Sequence, residues 1–180
     1  MSIPNWYTII YSSLLLVSVI LYIVSFFTNG TSKLACLITA YSTIAVGILM
    51  ILGFTLNNVS KISELIHPSK WEYFKIILTN SGPFIISLGI IFYTLYLLIV
   101  YQNRISDNHV TTEYSTISAI SIILTLIKLY LFYKEINSKI FLSTGKMSTI
   151  TYGVMYLIGM LNLICVLIMG TILKYFTTDG

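Results

Sequence analysis

Five apolar stretches dominate the sequence, and each has about the length that crosses a lipid bilayer as an α-helix. They cover residues 6–27, 34–56, 80–101, 115–133 and 149–173. A hydrocarbon core of roughly 30 Å takes about 20 helical residues. Only 9% of the residues are charged and the mean hydropathy is +0.90, whereas soluble proteins carry roughly a quarter charged residues. The sequence therefore predicts an all-α polytopic protein, with one membrane domain over residues 1–180 and a bundle of five transmembrane helices.

The first apolar stretch is expected to remain as a span and not to be removed as a signal peptide. Its apolar run is long for a signal peptide, and no basic residue precedes it. Five spans place the two ends of the chain on opposite sides of the membrane. Six lysines fall in the loops on the side of the N-terminus, against Lys33, Arg104 and Lys174 on the other side. The positive-inside rule then predicts a cytosolic N-terminus and a C-terminus that is outside or lumenal.

The third span is preceded by a helix start and interrupted by a helix breaker. Ser69 and Glu72 have the spacing of a capping box, and Trp71 and Phe74 lie on one face of the helix that follows. This pattern predicts a short interfacial helix over about 70–79. The candidate break then consists of Asn80, Ser81, Gly82 and Pro83.

Two interpretations of this break remain open. In the favoured one, the chain turns at 80–82 and a new transmembrane helix begins near Pro83, where proline is tolerated in the first turn. In the other, one long helix is broken inside the bilayer, as in transporters whose unwound backbone lines a binding site. The second interpretation would make the segment a gate.

Charged and amide side chains inside the spans are few. Lys128 is the ionisable residue within a span, and its long stem is expected to snorkel to the nearer interface. Asn162 lies near the middle of the last span, and Thr39 and Thr43 lie on a stripe of small residues in the second. These three residues form a candidate face that either packs helices together, which is favoured, or lines a polar pore.

Catalytic and ligand-binding motifs are absent from the sequence. His67 and His109 fall in loops predicted on opposite sides, and the sequence contains no GxSxG, HExxH, CxxC or phosphate-loop pattern. We expect no catalytic residue, no cofactor, no metal site and no enzymatic activity. The net charge of +4 is modest and is spread over several loops, which argues against a nucleic-acid partner.

The composition and the tail KYFTTDG (174–180) resemble those of small multi-pass membrane proteins of large AT-rich DNA viruses of the mimivirus-like group. That resemblance implies a host or virion membrane and a structural or assembly role. From the sequence we therefore expect a non-enzymatic integral membrane protein whose partners are the lipid bilayer and a second copy or another membrane protein. The alternative is a small channel or transporter, functioning as an oligomer.

Overall fold

The protein is a bundle of five long α-helices joined by short connections. The computed structural model describes residues 3–107 and 110–176. The long helices are α1 (Asn5–Ser25), α2 (Gly30–Ile66), α3 (Lys70–Val100), α5 (Thr112–Ile136) and α7 (Thr149–Thr171), with the short α4 (Gln102–Ser106) and α6 (Lys139–Thr144) between them. A π-helical turn, Ile172–Phe176, continues α7. All five long helices have the length and hydropathy of membrane spans, so the predicted all-α polytopic fold is confirmed.

The helices begin and end where side chains or backbone geometry can replace missing helical hydrogen bonds. Ser69 starts α3 with the predicted capping box, in which Ser69 Oγ accepts from Glu72 N at 3.3 Å and Glu72 Oε2 accepts from Ser69 N at 3.1 Å. Thr111 and Ser148 cap α5 and α7 in the same way with one bond each. Gly145 ends α6 with φ of +64°, a conformation that glycine adopts without strain.

The predicted turn at Asn80–Pro83 is not present, because α3 runs without a break from Lys70 to Val100. Residues 70–79 are the first ten residues of this helix and not a separate interfacial helix. Pro83 cannot donate to the carbonyl of Thr79. The helix is held on both sides of the proline, since Asn80 Nδ2 donates to the Ile76 carbonyl at 2.8 Å and Ser87 Oγ donates to the Pro83 carbonyl at 2.8 Å. A proline inside a membrane helix is tolerated where neighbouring groups stabilise the backbone in this way.

Two helices are much longer than the apolar stretches that predicted them. α2 has 37 residues and α3 has 31, which correspond to about 55 Å and about 46 Å of helix. Hydropathy marks only the part of a helix that lipid surrounds, so the sequence stretches 34–56 and 80–101 underestimate both helices. The end of α2 and the start of α3 therefore form a helical hairpin that extends beyond a hydrocarbon core of roughly 30 Å.

The bundle is held together by contacts between consecutive long helices and between helices further apart in the sequence. α2 packs against α1 and α3, and α7 packs against α3 and α5. Tyr133 of α5 reaches α1, where its hydroxyl lies 3.2 Å from Thr8 Oγ1 and its ring stacks on Tyr11. The outward face is apolar, with large exposed side chains that include Ile9, Leu16, Ile20, Phe92, Tyr96, Ile99, Leu157, Ile164 and Leu167. Such a surface suits a lipid environment.

Candidate functional site

A buried polar network joins α5 to α7 in the middle of the bundle. Asn162 of α7 is 1% exposed. Its Oδ1 accepts from Ser121 Oγ at 3.4 Å, and its Nδ2 donates to Thr125 Oγ1 at 3.2 Å. Thr125 Oγ1 in turn donates to the Ser121 carbonyl at 2.9 Å. Both ends of the Asn162 amide are thus bonded to α5, which removes most of the cost of burying it.

Lys128 extends the polar face of α5 by one further turn, but its amine has no hydrogen-bond partner among the described residues. The side chain is 1% exposed. A methyl group placed on Gly159 of α7 would lie 3.7 Å from Lys128 Nζ and 3.9 Å from Ile86 Cγ2 of α3. The amine therefore lies where α3, α5 and α7 meet. An unpaired amine inside a membrane bundle is costly and is a default pointer to function.

The expectation that Lys128 snorkels to the interface is wrong. Helical side chains lean toward the N-terminus of their own helix. Lys128 lies in the second half of α5, so the nearer interface is at the C-terminal end of that helix. The structure shows the side chain inside the bundle, where it is 1% exposed and its Nζ lies beside Gly159 of α7.

A second polar contact fixes the loop between α6 and α7. Asn80 of α3 is fully buried; its Nδ2 donates to the Gly145 carbonyl and its Oδ1 accepts from Met147 N at 3.1 Å. These bonds place Asn80 level with the start of α7, which begins two residues after Met147. The four residues of the predicted break are all buried at this level, near the end of the bundle and away from its middle.

A third contact ties the end of α5 to the start of α7. Glu135 Oε1 accepts from the backbone N–H of Ser148, and Glu135 Oε2 accepts from Thr151 Oγ1 at 3.0 Å. A carboxylate at a helix N-terminus is stabilised by the positive end of the helix dipole. Glu135 therefore both positions and stabilises α7.

The structure does not bring the predicted polar face together. Thr39 is exposed on the surface of α2, and Thr43 is half-buried. Thr43 Oγ1 donates to the carbonyls of Thr39 and Ala40 in its own helix, at 3.0 and 2.8 Å. Asn162 instead bonds to α5.

Residues that could supply chemistry are dispersed. His67 lies between α2 and α3, and His109 is outside the described residues. Within residues 3–107 and 110–176, no three His, Cys, Asp or Glu side chains lie close enough to hold a metal ion.

Sequence reasoning singled out Asn162 but missed its partners. Ser121, Thr125 and Lys128 are spaced by four and then three residues, which is the spacing of one helix face. That pattern was a usable signal for a polar inner face on α5. The partners of Asn80 and Glu135 had no such signal, because both contacts depend on how α7 packs.

Comparisons with known proteins find no relative of this chain. No family model, no curated protein and no solved structure matches this chain.

Proposed function

We propose that this chain is a non-enzymatic integral membrane protein with a structural or assembly role, acting through lipid and through a second copy or another membrane protein. The observation that carries this proposal is the bonding of Asn162, whose amide is bonded at both ends to α5. A polar group that lines a water-filled path would be left free to meet water or solute. In this structure the Asn162 amide joins α7 to α5.

The other interhelical polar contacts support the same role. Asn80 binds the α6–α7 loop, and Glu135 binds the first turn of α7. These groups connect α3 and α5 to α7 and to the loop before it, and the exposed surface of the bundle includes many large apolar side chains. The proposal includes the predicted cytosolic N-terminus and, through the resemblance to mimivirus-like membrane proteins, a host or virion membrane.

Reconstitution into liposomes tests the proposal. Vesicles that contain the purified protein are expected to pass K⁺, chloride and a small fluorescent solute no faster than empty vesicles. Asn162→Leu is compared with Asn137→Leu, which makes the same chemical change at an exposed position after α5. Reproducible flux that disappears in Asn162→Leu and persists in Asn137→Leu would overturn the structural role.

A small anion carrier is the second candidate, and the amine of Lys128 favours it. A buried amine without a partner among the described residues could bind an anion that passes between α3, α5 and α7. This candidate requires chloride flux in the same vesicles that Lys128→Met removes and that the exposed-site control Lys134→Met retains. Equal flux in empty and protein-containing vesicles would eliminate it.

A further inference from the structure

A groove of about 400 Å³ lies on the outside of the bundle, between the C-terminal halves of α3 and α7. We call it the α3–α7 groove; the residues that line it include Tyr93, Tyr96, Leu97, Leu167, Gly170 and Lys174. The groove is open to its surroundings, because Tyr93 is 40% exposed and Tyr96 is 56% exposed. A molecule in the membrane can therefore contact these side chains directly.

Tyrosine rings and glycines shape the groove. The rings of Tyr93 and Tyr96 are nearly parallel, at an angle of 24° with their centroids 6.0 Å apart. An added Cβ on Gly170 would lie 3.3 Å from the Tyr93 hydroxyl, so α7 approaches this ring closely. Gly89 lies one turn before Tyr93 on the same face of α3, and an added Cβ there would meet no described atom within 4 Å. The groove thus has a flat aromatic wall and open space beside Gly89.

The two ends of the groove differ in polarity. Tyr101 ends α3, and Lys174 lies in the π-helical turn that continues α7. Tyrosine and lysine are typical of the boundary between hydrocarbon and water. Gly89 lies about 18 Å deeper along α3, from a rise of about 1.5 Å per residue. A lipid with a small polar group and a long apolar body matches this division.

The helix ends at the polar end of the groove favour a neutral lipid over a phospholipid. α3 and the π-helical turn both end there, and the last carbonyls of a helix make its C-terminal end negative. Arg104 donates to the carbonyls of Leu173 and Lys174, and the Lys174 amine lies 5.1 Å from the ring centroid of Tyr175. Both cations are thus already directed at groups of the protein. A hydroxyl suits this environment better than a phosphate, because it can donate to a carbonyl and accept from an amine.

The flat wall favours a rigid lipid over a flexible one. Ordering a flexible acyl chain costs conformational entropy that a fused ring system does not lose. The faces of Tyr93 and Tyr96 offer a flat apolar surface for such rings. The spacing of Leu97, Tyr101 and Arg104 also matches a short sequence pattern proposed for cholesterol contact.

We propose that the α3–α7 groove binds a sterol, with its rings against Tyr93 and Tyr96, its hydroxyl beside Lys174 and its alkyl tail toward Gly89. The sterol lies in the leaflet opposite the N-terminus, because five crossings place the C-terminal ends of α3 and α7 on that side. The structural role proposed above does not depend on this site, so the two proposals can fail separately.

Photolabelling tests the site directly. The purified full chain in phosphatidylcholine nanodiscs is irradiated with a cholesterol analogue that carries a diazirine, and the labelled peptides are identified by mass spectrometry. We expect labelling to concentrate in residues 89–101 and 167–175. Excess cholesterol should reduce it by about fivefold through mass action, and excess dioleoylglycerol should reduce it little. Labelling spread evenly over the lipid-facing helices, or equal competition by dioleoylglycerol, would overturn the proposal.

The epimer of cholesterol with an inverted hydroxyl tests the polar end of the groove. It has the same rings and tail, but its hydroxyl points in another direction from the ring plane. We expect it to compete about fivefold more weakly than cholesterol, because the loss of one hydrogen bond changes an affinity by about that factor. Equal competition by the two epimers would show that the hydroxyl is not recognised and would also overturn the proposal.

Gly89→Leu and Gly153→Leu form a matched pair that tests the inner end of the groove. Both glycines are exposed, and an added Cβ on either would meet no described atom within 4 Å. Gly153 lies near the start of α7, at the opposite end of that helix from the groove. Gly89→Leu should weaken competition by cholesterol about fivefold through steric overlap with the tail, and Gly153→Leu should leave it unchanged. Equal competition in both variants would contradict the site.

Tyr96→Leu and Tyr130→Leu test the aromatic wall in the same way. Both tyrosines are exposed, at 56% and 63%, and Tyr130 lies on α5. Tyr96→Leu should weaken cholesterol binding by about threefold to tenfold, whereas Tyr130→Leu should not. Cholesterol should also raise the unfolding temperature of Tyr130→Leu and of the unsubstituted protein, but much less that of Gly89→Leu. An equal rise in all of them would mean that cholesterol acts through the bilayer and not through this groove.

Discussion

Lys128 is a charged residue whose side chain is buried between membrane-spanning helices. Its presence inside the fourth span can be read from the sequence, because it is the charged residue in the apolar stretch 115–133. The direction of its side chain cannot be read from the sequence, because the same sequence would allow the stem to reach an interface or to enter the bundle. The packing of α3 and α7 around Gly159 leaves room for the buried side chain. The amine is therefore retained at an energetic cost.

We predict that Lys128→Met stabilises the protein by about 1–3 kcal/mol. Methionine has a similar length and removes a buried amine that has no hydrogen-bond partner among the described residues. The free energy of unfolding can be measured by SDS titration in mixed micelles, with helix content followed by circular dichroism. Lys134→Met is the matched control, because Lys134 is exposed at the end of the same helix, and its unfolding free energy should change little.

A loss of stability in Lys128→Met with no change in Lys134→Met would contradict this prediction. That pattern would mean that the amine binds a group beyond the described residues, such as an anion. The unfolding free energies of these two variants therefore test the carrier candidate independently of the chloride flux.

Among the helices, α3 has one feature that the local sequence predicts, its start, and one that it does not, its continuity through Pro83. The helix start depends on Ser69 and Glu72, which are three residues apart, and the predicted capping box is present. The continuity of the helix through Pro83 depends on Asn80, whose side chain also bonds to the α6–α7 loop more than sixty residues away. Local pattern therefore predicted a corner, whereas long-range packing supports a continuous helix.

Two glycines of α3 provide a matched test of its packing against α7. A Cβ on Gly82 would lie 3.3 Å from the hydroxyl of Tyr156, whereas a Cβ on Gly89 would meet nothing within 4 Å. Gly82→Leu is expected to destabilise the protein by about 1–3 kcal/mol through overpacking. Gly89→Leu should be neutral or slightly stabilising, because leucine favours helix over glycine by somewhat under 1 kcal/mol.

The same SDS titration measures both glycine variants. Combining Gly82→Ala with Tyr156→Phe should recover stability relative to Gly82→Ala alone, because removal of the hydroxyl makes room for the added methyl group. Equal effects of Gly82→Leu and Gly89→Leu would show that α3 and α7 do not approach closely at Gly82.

At the scale of the whole molecule, the number of spans follows from hydropathy and the arrangement of the helices does not. Each of the five predicted spans coincides with one long helix of the structure, although 6–27 and 80–101 extend one or two residues past the ends of α1 and α3. Which helices touch depends on side chains such as Tyr133, Glu135 and Asn162, whose partners lie on other helices. A local pattern such as the spacing of Ser121 and Thr125 can indicate a polar helix face, but it does not identify the helix that the face contacts.

The connectivity predicts which ends of the helices share a side of the membrane. Five crossings place the α2–α3 connection and α6 on the side of the N-terminus, with the α1–α2 connection and α4 on the opposite side. Single cysteines at four exposed positions, Thr31, Leu65, Asn103 and Ser143, test this in a background with Cys36→Ala and Cys165→Ala. In intact cells, a membrane-impermeant maleimide should label positions 31 and 103 directly. It should label positions 65 and 143 only after permeabilisation, because the six loop lysines on their side are expected to be cytosolic. Reversal of both pairs would contradict the orientation alone, whereas labelling of 65 and 143 from different sides would contradict five spans.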